Sequence, residues 1–271
     1  MNPTLLPIAD FPFRLVAAIF PHPDDSAIGC GGLMCRLNRF SQPIRPTLAA
    51  IVLTSGHRGV SDEYLREYLA ETSLLSWPSD ATEVIRRKTL IREQEAKAEA
   101  ASLGVDSVQC LNLPDLYERH SVAPEEIQRL AQALGELARP LPASAPRLLL
   151  LPRLDDPHPV HSLGSQLVSE ALIQMPGWTV WHYETTWMSL NPRDVTTIVS
   201  LTSNDIACKL DALKQHRSQL ARTDFVKVVR DMAEVKAQTL NEILFGFGKD
   251  GTQLGAFVEL FQQRGAVTLI P

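Results

Sequence analysis

A histidine and two aspartates are crowded into one short stretch, Pro21-His22-Pro23-Asp24-Asp25, and a second knot of the same chemistry, Asp155-Asp156-Pro157-His158-Pro159-Val160-His161, stands far downstream. Imidazoles and carboxylates at that density can hold a divalent cation and keep a general base beside it. Pro23 restricts His22 to extended backbone, so the side chains of the first loop can share one space. Alone, that loop reads equally as a turn whose aspartates cap the next helix. The second loop, of like composition, shifts the balance toward a metal.

Both loops follow apolar runs, Leu15–Phe20 and Arg147–Pro152, and the first is followed by Gly29-Cys30-Gly31-Gly32. Each is a strand, then a polar loop, then a helix. Further strands are expected at Leu48–Leu53, Val108–Leu113, Thr179–Tyr183, Thr196–Leu201, Gly255–Leu260 and Val267–Ile270. Helices are expected at Ile28–Phe40, at Ala81–Leu103 between an Asp80 cap and Gly104, at Pro124–Ala138, from a Ser162 cap to Ile173, and at Lys227–Phe245. This alternation predicts an α/β fold, a Rossmann-like, doubly wound and mainly parallel sheet flanked by helices. The common strand order 3-2-1-4-5 sets the first strand beside the fourth, and ligands bind outside the carboxyl ends where the winding reverses. Both polar loops hang at that switch point.

His22-Pro23-Asp24-Asp25-Ser26 and His158-Pro159-Val160-His161 resemble the H-P-D-D-E and H-x-D-H motifs of the LmbE-like, or PIG-L, family of metal-dependent N-acetylglucosamine deacetylases. The likeness continues through Thr54-Ser55-Gly56 (T-x-G), Arg92-Glu93-Gln94-Glu95-Ala96 (R-x-x-E-A), a strand ending in Pro114-Asp115, and Lys209 with Ser218-Gln219. An E-x-F pattern near the end is matched by Gly255-Ala256-Phe257, with glycine in place of the acid. The resemblance implies one LmbE-like domain over residues 1–271 that removes an N-acetyl or other N-acyl group from an amino sugar or its conjugate. It implies His22, Asp25 and His161 as ligands of one divalent ion, for which Zn²⁺ fits best and Fe²⁺ is also suited. Asp24 would be the general base, a protonated His158 would hold the oxyanion, and Ser55, Gly56, Arg92 and Asp115 would contact substrate.

On physical grounds alone several of these positions have ordinary uses. Arg92 on so charged a helix belongs on its solvated face; Asp115 can cap a turn; His57 can be merely solvated; His216 and Ser218 read as helix-end or packing residues. The segment 60–80, with Tyr64, Tyr68, Leu69, Leu74, Leu75 and Trp77, reads either as a lid or as a short amphipathic helix packed on the body. Two positions depart from the family pattern: Ser26 replaces Glu, and Val160 replaces the Asp that orients the first histidine of H-x-D-H. Either Asp155 or Asp156 supplies that carboxylate, or His158 is less basic, or the protein is a weak or inactive sugar-binding relative.

Composition narrows the partners. The 271 residues are 45% hydrophobic, enough for a substantial core. A net charge of −5 and a pI near 5.8 argue against a nucleic-acid groove or a polybasic membrane patch. A neutral or weakly charged small partner fits the composition better, a small amino-sugar substrate is what the resemblance implies, and a homo-oligomer is compatible with the sequence. Cys30, Cys35, Cys110 and Cys208 form no C-x-x-C pair and are expected to be reduced thiols. With no leader pattern and no apolar run of membrane-spanning length, a cytoplasmic protein is expected.

Overall fold

Strand and helix alternate along the computed structural model, which describes residues 4–5, 11–40, 45–72, 77–78, 80–113, 116, 119–246, 254–263 and 268–270. In chain order the elements are β1 (Thr4–Leu5), β2 (Leu15–Phe20), α1 (Asp25–Gly29), α2 (Gly31–Asn38), β3 (Thr47–Thr54), α3 (Asp62–Glu71), α4 (Ala81–Leu103), β4 (Ser107–Leu113), α5 (Pro124–Ala138), β5 (Arg147–Leu151) and α6 (Pro159–Gln174). There follow β6 (Trp178–Tyr183), β7 (Thr197–Leu201), α7 (Ser203–Leu213), α8 (Arg217–Leu220), α9 (Phe225–Phe245), β8 (Phe257–Gln262) and β9 (Thr268–Ile270).

Among the described residues the sheet has nine strands in the order β1-β9-β7-β8-β6-β5-β2-β3-β4. The run β4-β3-β2-β5-β6 is parallel throughout, the order 3-2-1-4-5 expected of the first five long strands, and β8 joins antiparallel to both β6 and β7. β2 is buried on both faces, which is why it reads as an unbroken apolar run. Its even residues, Val16, Ala18 and Phe20, pack with Leu33 and Leu37 of α2 and Leu213 of α7. Its odd residues, Leu15, Ala17 and Ile19, pack with Leu130 and Leu134 of α5 and Leu167 of α6. Each such buried leucine contributes roughly 1.5–3 kcal/mol, so the strand that carries the first polar loop is clamped from both sides.

The helix expected at Ile28–Phe40 is two helices, α1 and α2, separated by Cys30 at φ −142°. Glycines on either side of Cys30 offer little helix propensity, and the first amides of α2 find their acceptor elsewhere: Gly32 and Leu33 N–H donate to Glu259 of β8 at 2.7 Å each. Glu259 also pairs with buried Lys209 at 2.5 Å. Glu259 lies inside β8, two residues beyond Phe257 of the Gly255-Ala256-Phe257 match. The expectation of four reduced thiols is also corrected, because α2 and α7 pack together and Cys35 and Cys208 form a disulfide across them, 173 residues apart in sequence. Spacing alone carries no signal for such a pair. Cysteine usage thus gives no argument for a reducing compartment.

In the 60–80 segment, α3 lays Leu65 and Leu69 against Ile91 of α4, and Tyr68 donates to Gln94 at 2.8 Å; Leu74 and Leu75 lie outside the described residues. No helix among the described residues is long and apolar enough to cross a membrane.

Candidate active site

The first polar loop leaves the carboxyl end of β2 and is tied to its neighbour strand. Thr54, at the end of β3, donates to the Pro21 carbonyl through its amide at 3.1 Å and its hydroxyl at 2.7 Å. Gly56 then turns at φ +62°, and a Cβ there would stand 2.7 Å from the Pro23 ring, so the T-x-G turn needs glycine twice over, for its conformation and for its space. Within the loop, the His22 amide donates to Asp25 Oδ2 at 2.7 Å.

The second loop leaves β5, the parallel neighbour of β2. Its helix starts earlier than a Ser162 cap would give: His158 is the N-cap and Pro159 the first helical residue of α6, a position proline suits because its missing N–H is not needed there. Val160 and His161 therefore lie in the first turn, about 100° apart around the axis. Val160 packs with Leu116 and Leu163, while His161 turns into the site. Asp156, just upstream, accepts the His158 amide at 2.8 Å, His161 Nδ1 at 3.2 Å and the Thr185 hydroxyl at 2.7 Å. Asp155 faces outward and pairs with Arg153 at 2.7 Å. Of the two candidate substitutes for the Val160 carboxylate, Asp156 is the one in the site, and its imidazole partner is His161.

These loops bring together three donor atoms. His22 Nδ1 and His161 Nε2 lie 3.3 Å apart, and Asp25 Oδ2 is 3.4 Å from each. Bonds of about 2.0–2.1 Å to a tetrahedral ion place donors about 3.3–3.4 Å from one another, so the triangle has the dimensions of one face of such a site. His22, His158 and His161 also form a group that could hold a metal ion, with ring nitrogens within 4.8 Å of one another; that set is wider, and His158 sits at its border. Burial pushes Asp25 up, but His161 and His22 outweigh it and hold the carboxyl well below its usual range. Burial likewise pushes His161 down, but Asp25 and Asp156 raise it to about 10. His158 goes the other way: burial, with His161 and His22 beside it, lowers it to about 4.

Asp24 points instead to Arg92, whose Nη2 is 3.0 Å from its Oδ1. Arg92 is 1% exposed, which corrects its placement on a solvated helix face. The spacing Arg92, Glu95, Glu99 aligns three charged residues on the buried side of α4, where Glu95 accepts from Arg92 at 2.7 Å and from Ser218 at 2.8 Å. His216 lies between them, donating to Glu99 and standing 3.1 Å from Arg92, and Glu99 accepts the Ala27 amide of α1 at 2.8 Å. Sequence reasoning missed this network. Its signal was the i, i+3, i+7 spacing of charges interleaved with Ala96, Ala100 and Leu103 on one helix face.

Above this floor opens a cavity of about 400 Å³ whose lining includes His22, Asp24, Asp25, Arg92, His158 and His161. Ser55 and Gly56 also line it, and the Ser55 hydroxyl is 2.8 Å from His57 Nδ1. Asp115 lies outside the described residues. An aromatic wall comes from Trp187, 62% exposed, with its ring 5.5 Å from that of His158; no described residue of the 60–80 segment lines the cavity.

The model of the PIG-L family, GlcNAc-PI de-N-acetylase, matches residues 17–172. A curated protein of Bacteroides thetaiotaomicron, a putative glucosamine-6-phosphate deaminase-like protein, is 23% identical over 258 residues, covering 80% of this chain; the chain spans 37% of that relative's length. The fold is shared with N,N'-diacetylchitobiose deacetylase of Pyrococcus horikoshii, at TM-score 0.63 and 20% identity over 92% of this chain and 83% of that one. It is shared too with 4-carboxy-2-hydroxymuconate hydratase of Pseudomonas putida, at TM-score 0.65 and 17% identity over 93% and 97% of the two chains.

Proposed function

The chain belongs to the PIG-L family, and from that membership we propose that it is a metal-dependent hydrolase that removes an N-acetyl, or another N-acyl, group from an amino sugar or amino-sugar conjugate. The observation that carries this reading is the triangle of His22, Asp25 and His161 donors at 3.3–3.4 Å, with the Asp24 carboxylate beside it in an open cavity. Those three residues would hold the ion, with Zn²⁺ the best match to two imidazoles and a carboxylate and Fe²⁺ also suited. When bound, a dication there supplies a water of lowered pKa and polarises the acyl oxygen.

The chain's own groups do the rest. Asp24, held toward the cavity by Arg92, takes a proton from the attacking water as oxygen adds to the acyl carbon. His158 donates a ring N–H to the developing oxyanion. As the C–N bond breaks, Asp24 returns its proton to the departing nitrogen, giving an amine and a carboxylic acid, whose remaining proton passes to the amine to leave an ammonium and a carboxylate. Arg92 acts here as a positioning residue for Asp24, and Ser55, Gly56 and Asp115 as substrate contacts. Asp156 keeps His161 in the tautomer whose Nε2 faces the site.

A second reading, a catalytically weak sugar-binding relative, is favoured by one observation: Val160 is packed among apolar side chains and His158 has no carboxylate from that position. Acetate release from N-acetylglucosamine and its conjugates with added Zn²⁺ or Fe²⁺ separates the two. Turnover that is lost in Asp24→Asn supports the hydrolase; sugar binding and metal uptake without acetate release support the binding protein.

A further inference from the structure

We propose that Glu95 and Ser218 are positioning residues for the general base, locking the Arg92 guanidinium in the orientation that aims Asp24 into the cavity; this rests on the hydrolase reading above. Arg92 divides its two terminal nitrogens between two carboxylates. Nη2 is 3.0 Å from Asp24 Oδ1 and Nη1 is 2.7 Å from Glu95 Oε2. Its Nε has no hydrogen-bond partner among the described residues, so the direction of the group is set at Nη1 and Nη2. Because the guanidinium is a rigid, planar fork, fixing one terminal nitrogen fixes the line along which the other meets Asp24.

Glu95 is itself held by Ser218 of α8, 123 residues away in sequence. The Ser218 amide donates to Glu95 Oε1 at 2.7 Å and its hydroxyl donates to Oε2 at 2.8 Å, so both oxygens of the carboxylate are gripped. The direction of that hydroxyl is fixed in turn, because it accepts from the Gln219 side chain at 3.0 Å. The same Gln219 nitrogen donates to the Gly59 carbonyl at 3.0 Å, in the turn that follows Gly56. A side chain at Gly59 would stand 2.8 Å from the Gln219 amide, so glycine permits the approach. Ser218 and Glu95 are buried, where such hydrogen bonds are strong and leaving one unmade is costly. Asp24 alone would neutralise Arg92; a second carboxylate held at both oxygens adds direction.

The test reads Arg92 first and the reaction second, on protein purified without chelator. Nitrogen NMR should show the two Arg92 Nη groups, assigned by their loss in Arg92→Lys, as separate resonances, because rotation about the Cζ–Nη bonds is slow. Glu95→Gln keeps the size of the side chain and removes its charge; it should speed that rotation by about tenfold or more, and Ser218→Ala by about two- to tenfold. In acetate release from N-acetylglucosamine and its conjugates, kcat should fall about ten- to a hundred-fold in Glu95→Gln and about two- to tenfold in Ser218→Ala, with KM and metal content unmoved. Ser218→Thr, which restores a hydroxyl, should recover most of the loss. In an Asp24→Asn background Glu95→Gln should cost nothing further, because both changes act on one group. Unchanged Arg92 rotation in Glu95→Gln, an equal loss of kcat with and without Asp24, or a loss of substrate or metal binding in step with kcat overturns the proposal. Faster rotation in the variants, with no acetate release by the unaltered protein, counts against the hydrolase reading alone.

Discussion

Asp24 and Asp25 are chain neighbours with opposite surroundings, and that difference assigns them different work. Asp25 faces two imidazoles, Asp24 a buried guanidinium. Asp24→Asn should leave metal uptake intact and lower turnover by about a hundred- to ten-thousand-fold, read by metal analysis and acetate release on the same sample. Asp156→Asn should weaken metal binding by about ten- to a hundred-fold in a chelator competition, because His161 loses the acceptor that orients it. Val160→Asp restores the family residue but puts a carboxylate among Leu116 and Leu163; the expected outcome is a fall in thermal stability with no gain in rate. Much of the site was legible at this scale, since histidines and aspartates on two loops carry their chemistry in their type. The burial of Arg92 was not, because only its ion pairs with Asp24 and Glu95 make it tolerable to bury a guanidinium there.

Elements explain how the loops are aimed. The parallel strands and their order were readable from apolar runs and the alternation of strand with helix, Ala81–Leu103 ended where its Asp80 cap and Gly104 said, and Pro124–Ala138 has the expected bounds. Helix starts were harder. α6 begins at Pro159 because His158 serves as its N-cap, and α2 begins after a break because Glu259, from a strand more than two hundred residues away in sequence, receives its first amides. No local window contains that acceptor. Gly56→Ala should cost about 1–3 kcal/mol, from the positive φ and the approach to Pro23, and should depress turnover as well as stability; urea denaturation and acetate release check the two separately. α4 contributes both a packing face and the Arg92, Glu95, Glu99 row, so its buried side is polar next to the site and apolar toward its end.

The whole molecule couples these parts through buried charge and one cross-link. Burial pushes His216 down, but Glu99 and Glu95 outweigh it and raise it to about 9, against about 6.5 in an unfolded chain. A raised histidine stabilises fully below about pH 6.5 and loses that contribution as pH climbs through about 9. Stability to urea should therefore fall by a few kcal/mol between pH 6.5 and 9.5, and the fall should be smaller in His216→Gln. Reducing the Cys35–Cys208 disulfide, which closes a long loop, should cost about 2–5 kcal/mol and lower the melting temperature. At this scale the sequence was silent on the disulfide, whose partners meet only once α2 and α7 pack, and clear on the meeting of two distant loops, which the strand order requires. The most direct test of that meeting is the metal content of protein purified without chelator, set beside that of the His22→Ala and His161→Ala variants. One equivalent of a divalent ion in the unaltered chain, and none in either variant, is the predicted result; no ion in the unaltered chain, or a full equivalent in both variants, would contradict it.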